Sequence, residues 1–455
     1  MKQYDNIVIG FGKGGKTLAG ALAAAGQSVA LVERSARMFG GTCINVACIP
    51  TKSLEHSARL SAVQGGDFAA RAERYRAAVE EKRRLTAMLR QKNYDKAVSA
   101  GVDVLVGEAS FLDSHRIALR GEGGEEELRG ERIFLNTGAR PFLPPIPGLA
   151  DSACVYTSES LMERDRLPAR LAVIGGGYIG LEFASYYANF GAEVTMIQDG
   201  AVFLPREDRE MAAAVLESLR ARGVRVLSGT KTQRIQDAGG CAELLLQTPD
   251  GEETLAADAV LAATGRRPNV AGLHLEAAGV ALTARGAVQV DEHLRTSVPH
   301  IWAMGDVAGG LQFTYISLDD SRIVKSQLLG DGSRTTENRG AVPYSVFLDP
   351  PLSRVGLTEQ EARDQGYAVR VARLSAGAVP KAQVLRRPAG LLKAVVDGDT
   401  GRILGAHLFC AESHEMINLV KLAMDGGLPY TALRDAVYTH PTMSEAFNDL
   451  FANLK

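Results

Sequence analysis

Cys43 and Cys48 stand in the stretch Gly40-Gly41-Thr42-Cys43-Ile44-Asn45-Val46-Ala47-Cys48-Ile49-Pro50-Thr51-Lys52, with four residues between them. On a regular α-helix two residues five apart lie about 140° apart around the axis and about 8 to 9 Å from each other. A disulfide needs Cα atoms within about 7 Å, so a bonded pair here requires irregular backbone at one cysteine at least. Pro50 is favoured in a helix's first turn and predicts that the regular helix begins around it, near both sulfurs. The partial positive charge of a helix N-terminus lowers a thiol pKa and favours the thiolate, the reactive form. Two other readings of the pair stand beside a reactive dithiol: two ordinary buried cysteines, and a structural zinc site, although no second ligand pair at metal spacing occurs. No metal site is expected.

A dithiol needs elements to position it and a source of electrons. Asn6 to Ile9 reads as a buried strand, followed by Gly10-Phe11-Gly12-Lys13-Gly14-Gly15 and an alanine-rich helix from Thr17 to Ala25. Gly-x-Gly-x-x-Gly between strand and helix lets backbone amides approach a pyrophosphate at the helix N-terminus. A second strand, Ser28 to Val32, ends at Glu33, 23 residues after Gly10, where an acid binds both ribose hydroxyls. The pattern recurs: the strand Leu171 to Ile174 leads into Gly175-Gly176-Gly177-Tyr178-Ile179-Gly180-Leu181-Glu182, with glycines at 175, 177 and 180. Two dinucleotide sites in one chain imply a hydride relay. The strand Glu193 to Ile197 ends at Gln198-Asp199, and a neutral Gln198 there removes repulsion of a 2′-phosphate, a lean toward NADPH over NADH.

The bulk properties are ordinary for a soluble globular protein. The chain has 455 residues, 46% hydrophobic and 23% charged, enough for two to four domains. A net charge of −2 provides no basic field for nucleic acid or a membrane surface. No apolar run approaches the length of a membrane span and no signal peptide opens the chain, so a cytoplasmic protein is expected. In a reducing cytosol, Cys43 and Cys48 are more plausibly catalytic than a structural staple, and Cys154, Cys241 and Cys410 show no partner spacing.

The cysteine stretch and both glycine motifs resemble the class I flavoprotein disulfide reductases, the family of lipoamide dehydrogenase, glutathione reductase and mercuric reductase. The resemblance implies an α/β fold: two Rossmann-like dinucleotide-binding domains, for FAD and NAD(P), and a C-terminal α+β dimerisation domain. The expected division is 1–147 and 269–339 for FAD, 148–268 for the nicotinamide nucleotide and 340–455 for the dimer interface. It assigns Gly10, Gly12, Gly15, Glu33, Gly41, Thr42, Lys52, the Thr137-Gly138 turn and Asp306 to FAD. Gly175, Gly177, Tyr178, Gly180, Gln198 and Gly265 fall to the nicotinamide nucleotide, with Tyr178 as a gate. Glu182 is expected to pair with Lys52 beside the flavin. The ending Thr439-His440-Pro441-Thr442-Met443-Ser444-Glu445 implies His440 as acid/base acting across a homodimer interface, oriented by Glu445; Thr442-x-x-Glu445 also has capping-box spacing.

Within the family, four further stretches resemble a narrower group of bacterial reactive-chlorine-resistance flavoproteins: Gly12 to Thr17, Phe203 to Asp208, Leu311 to Asp320 and Pro350 to Gly356. That likeness implies reduction of hypothiocyanous acid, a small oxidant, and also copper(II) reduction. The C-terminal cysteine pair of mercuric reductase is absent from the ending Phe451-Ala452-Asn453-Leu454-Lys455. The rival readings are a dihydrolipoamide dehydrogenase and a non-enzymatic flavin/dithiol redox sensor.

Overall fold

The structure, a computed structural model, describes all 455 residues, which cluster into two compact units. The first comprises Met1–Ser53, Val79–Phe142 and Gly265–Arg339. Its seven-stranded sheet runs Asp103–Val106, Val29–Glu33, Lys2–Ile9, Gly124–Leu135, Arg116–Gly121, Glu108–Phe111, with Ile301–Ala303 also paired to Gly124–Leu135. The long strand Gly124–Leu135 explains the branching. Its first half pairs antiparallel with Arg116–Gly121, and its last three residues pair parallel with Ile301–Ala303. Val29–Glu33 is buried at every position, as a parallel strand covered on both faces must be. The helix Lys13–Ala24 begins four residues before the expected Thr17, because Gly14 and Gly15 lie inside its first turn. A Cβ on Gly14 would lie 2.5 Å from the Ser317 carbonyl, so glycine is what lets this helix meet the helix Thr314–Leu329.

The second unit comprises Leu54–Ala78, Leu143–Thr264 and Gly340–Lys455. It thus includes a segment, Leu54–Ala78, grouped by sequence with the first FAD segment. A parallel sheet runs Arg225–Ser228, Glu193–Gln198, Arg170–Ile174, Ala259–Ala262, Val155–Tyr156, beside the meander Lys231–Ala238, Cys241–Thr248, Gly251–Ala257. A third, antiparallel sheet has the order Tyr344–Val346, Leu352–Gly356, Ile403–Phe409, Leu391–Asp397, Val369–Ser375. Its core includes Leu392, Ala394, Ala406 and Leu408, joined by Met416, Ile417 and Val420 of the helix Ser413–Asp425. Lys393, 2% exposed, reaches from this sheet to Asp208 at 2.8 Å, Glu359 at 2.9 Å and Glu210. No helix is long and apolar enough to cross a membrane.

Candidate active site

The first glycine turn is closed by side chains from distant parts of its unit. Gly10 has φ +106, and a Cβ there would sit 2.3 Å from the Asn136 carbonyl oxygen. A Cβ on Gly15 would lie 2.4 Å from the Gly10 carbonyl, and one on Gly12 2.6 Å from Asn136 Oδ1. Asn136 Oδ1 accepts the Gly15 N–H at 2.8 Å, while its Nδ2 donates to the Met304 carbonyl at 2.7 Å. Ser317 Oγ accepts the Gly14 N–H at 3.1 Å. Glu33 Oε2 accepts the Phe11 N–H at 3.1 Å, and burial raises its pKa against that and neighbouring bonds. Asp306 lies in the short turn Gly305–Ala308 after Ile301–Ala303, and its pKa is likewise raised, chiefly by burial. Asn136, Ser317 and Asp320, which accepts the Gly305 N–H at 2.7 Å, went unassigned in sequence. The one signal for Asn136 was its place directly before Thr137-Gly138.

The dithiol is packed onto this turn. Gly41, at φ +76, would place a Cβ 2.6 Å from Gly12 Cα, so the cysteine stretch rests on the glycine turn itself. Thr42 opens a four-residue helical turn, Thr42–Asn45, with Gly138 beside its hydroxyl. The helix breaks at Val46 and resumes as Cys48–Gln64, so the two cysteines lie on separate turns, the arrangement a bonded pair at this spacing would need. The regular helix starts at Cys48, two residues before Pro50. No disulfide joins the two cysteines, and Cys48 Sγ lies 3.3 Å from Thr314 Oγ1. The expected lowering fails for Cys43. Its pKa is raised, first by hydrogen bonding with Cys48, then by burial and the charge of Cys48; Thr314 and Lys16 oppose this. Two thiols sharing one site cannot both ionise easily, which outweighs the helix-terminus effect at the second. Lys16 is itself pushed down to about 8, by burial first.

Lys52 lies one turn after Cys48, its Nζ 3.3 Å from Thr51 Oγ1. Thr137 Oγ1 donates to the Asn269 carbonyl at 2.8 Å, and the Gly138 carbonyl accepts the Asn269 N–H at 2.9 Å.

The second glycine turn repeats the first in backbone. A Cβ on Gly175 (φ +117) would lie 2.3 Å from the Ala263 carbonyl, and one on Gly180 2.2 Å from the Gly175 carbonyl. Around Gly177 there is open space. Gln198 is 8% exposed, packs its Oε1 against Gly176 and donates from Nε2 to the carbonyls of Gly200 at 2.7 Å and Val202 at 3.2 Å. Gly265 follows Thr264 at φ +107 and accepts the Phe142 N–H at 3.0 Å. Tyr178 opens the helix Tyr178–Phe190 and donates to Glu207 at 2.6 Å. On the same helix, Glu182 Oε1 accepts the Phe347 N–H at 2.9 Å. His440 Nδ1 and Glu445 Oε2 lie 2.9 Å apart, and the imidazole is 71% exposed. Thr442 Oγ1 accepts the Glu445 N–H at 3.3 Å, so half of the capping box forms while the carboxylate turns to His440.

Comparison with known proteins bears on this arrangement. The pyridine nucleotide-disulphide oxidoreductase model matches residues 4–321, and that family's dimerisation-domain model matches 342–451. The chain belongs to the class I pyridine nucleotide-disulfide oxidoreductases. It is an enzyme, and its family uses FAD and a nicotinamide nucleotide. It is 49% identical to the probable pyridine nucleotide-disulfide oxidoreductase RclA of Escherichia coli K12, over the whole of both chains. It is 35% identical to a mercuric reductase of Staphylococcus aureus, covering 97% of this chain and 81% of the relative. A dihydrolipoyl dehydrogenase of Mycobacterium tuberculosis H37Rv is 34% identical, covering 100% and 98%. A solved structure, the Cu(II) complex of HOCl-induced flavoprotein disulfide reductase RclA from E. coli, superposes with a TM-score of 0.94 at 48% identity, over 99% of each chain.

The residues fit the family's cofactors. At both turns a Cβ on the first or third glycine would run into a backbone carbonyl, so only glycine permits the tight strand-to-helix crossing that presents backbone amides to a pyrophosphate, and at the second turn the middle glycine, Gly177, leaves that approach open. One group of carboxylates converges as metal ligands do, Asp208, Glu210 and Glu359. The Lys393 ammonium is its partner.

Proposed function

We propose that this enzyme is a homodimeric, cytoplasmic NAD(P)H-dependent flavoprotein that reduces hypothiocyanous acid through Cys43 and Cys48. The observation that carries the reading is the dithiol packed, through Gly41 on Gly12, directly on a closed dinucleotide turn. Its close likeness to a reductase described as HOCl-induced supports the oxidant class. Gly10, Gly12 and Gly15 of the first turn would hold FAD, which would supply passage of an electron pair from reduced nicotinamide to a disulfide.

The chain's own residues account for the rest. Cys43 as thiolate attacks the sulfur of hypothiocyanous acid, forming Cys43–S–SCN and releasing hydroxide, which takes up a proton. The Cys48 thiolate then attacks the Cys43 sulfur, expelling thiocyanate and closing the disulfide. Because Cys43 is raised by its neighbour, it needs a base to ionise at neutral pH. His440, oriented by Glu445, is suited to that role, since an imidazole takes and returns a proton near neutrality. His440 is exposed in one chain, and so are Leu422 at 66% and Val437 at 100% on the same domain, which fits a face that a second copy covers. Lys52 and Glu182 are read as the pair beside the flavin, and Tyr178 as the nicotinamide gate. Gln198, without charge, favours NADPH.

The test is anaerobic NADPH consumption by the purified yellow protein on adding hypothiocyanous acid, beside NAD-dependent oxidation of dihydrolipoamide. Fast consumption in the first assay and little turnover in the second is expected. The reverse pattern would make the protein a dihydrolipoamide dehydrogenase, and negligible nucleotide oxidation with every acceptor, copper(II) included, would make it a sensor.

A further inference from the structure

Two of the stretches that mark the narrower group, Phe203 to Asp208 and Pro350 to Gly356, meet at one buried carboxylate. Glu207 has a fully buried side chain, and its Oε1 accepts a hydrogen bond from the Tyr178 hydroxyl and another from the Tyr344 hydroxyl, each at 2.6 Å. The two phenols are 3.2 Å apart and their rings stack with centroids at 5.5 Å. Glu207 Oε2 has no hydrogen-bond partner; Arg354 Nη1 stands 4.0 Å away, contributing charge without a lock. Both donors therefore converge on one oxygen.

The segment that carries Glu207 is rigidly built. Arg354 Nη1 donates to the Arg206 carbonyl at 2.6 Å, and Arg209 donates to the carbonyls of Phe203 at 3.1 Å and Glu207 at 2.5 Å. Leu204 is held at φ +46, a conformation a non-glycine residue adopts only when its surroundings impose it. A firmly placed carboxylate thus holds a tyrosine that opens the helix directly after Gly177, next to the open space of the second glycine turn. A dinucleotide whose pyrophosphate lies on that turn must run past this residue.

We propose that Glu207 is a positioning residue for Tyr178: it tethers the phenol at the nicotinamide entrance, and the tether must break for the ring to enter. The inference rests on the reading of the second glycine turn as the nicotinamide site. The phenol stays a donor throughout the neutral range, because burial and then the charge of Glu207 push Tyr178 up to about 12. Tyr344, from the C-terminal antiparallel sheet, competes for the same oxygen and tunes the tether's strength.

Calorimetry on the FAD-loaded enzyme tests this with two probes, NADP+ and 2′-phospho-ADP-ribose, which lacks the nicotinamide. Removing a charge-assisted bond is expected to tighten NADP+ binding roughly three- to tenfold in Tyr178→Phe and in Glu207→Gln. The double variant should bind no tighter than the tighter single variant, since both remove one interaction. Tyr344→Phe leaves Glu207 Oε1 to Tyr178 alone and should weaken NADP+ binding about two- to threefold. It also carries the test if Glu207→Gln loses its flavin. The fragment should bind equally to all. Unchanged NADP+ binding, additive effects or a parallel change in fragment binding would overturn the tether. Tyr178→Ala separates the two levels: tighter NADP+ binding there alone removes the tether and keeps the gate, and no effect there removes the gate reading as well.

Discussion

The two glycine turns share a backbone plan and are finished with different side chains. In both, the first glycine's N–H donates at 2.8 Å to the second strand, Gly10 to Val32 and Gly175 to Ile197. In both, the residue before a Thr-Gly pair donates its N–H at 2.8 Å to the first strand, Asn136 to Ile9 and Ala263 to Ile174. Then they diverge. Asn136 closes the first turn by capping Gly15, whereas Ala263 has no group to offer. Glu33 folds back onto the first turn's Phe11 amide, whereas Gln198 donates away from the turn to its own loop. A site pinned by distant side chains suits a group that stays, and an open one suits a group that arrives and leaves each cycle.

The largest expected effect separates the two. A Cβ on Gly12 meets Asn136 Oδ1 at 2.6 Å, so Gly12→Ala should displace the side chain that closes the turn, at a cost of about 1–3 kcal/mol, and yield protein largely without flavin absorbance. Gly177→Ala meets nothing in the protein and should keep its flavin, while raising half-saturating NADPH about tenfold by crowding the pyrophosphate. Equal flavin loss in both would erase the distinction between a closed and an open site.

A smaller effect sharpens the open site. Gln198→Glu places a like charge where a 2′-phosphate would lie, and the ratio of NADPH to NADH kcat/KM should fall roughly tenfold. An unchanged ratio would move nucleotide selection elsewhere, the exposed Arg206 in the following loop being the next residue to test.

The smallest effect concerns Glu55, whose carboxyl is pushed from 4.5 up to about 7, first by burial, then by the charges of Asp349 and Glu182. A carboxyl that binds its proton more tightly folded than unfolded stabilises the fold below about pH 4.5, and that contribution is lost as pH rises through about 7. Glu55→Gln should therefore raise the thermal midpoint at pH 8 by roughly 1–3 °C and leave it unchanged at pH 4.5. Equal midpoints for wild type and variant at both pH values would show that the fold does not hold the Glu55 carboxyl above its ordinary range.

What sequence showed and what it hid follow the same division. Glycines, terminal acid and dithiol are local signals, and the helix break at Val46 is the irregular backbone that a bonded Cys43–Cys48 pair would need. Capping of the first turn was hidden because its partners arrive from 121 and 303 residues away. Sequence puts the helix start at Thr17 rather than Lys13 because glycines in a first turn read as loop by propensity. The helix terminus predicts a lowered pKa at Cys43, but its coupling to Cys48 depends on a side-chain contact that spacing does not fix. Glu207 carries no signal of this role in its neighbouring residues; only packing brings Tyr178 and Tyr344 to it.

The central claim is that nucleotide oxidation and oxidant reduction are separable steps joined by Cys43. The most direct measurement compares wild type with Cys43→Ser anaerobically, following flavin bleaching by NADPH and then NADPH consumption with hypothiocyanous acid. Bleaching should persist in the variant while consumption falls by at least about 10³-fold, and His440→Gln should show a roughly 10²- to 10⁴-fold loss of the same kind. Undiminished consumption by Cys43→Ser would contradict the account.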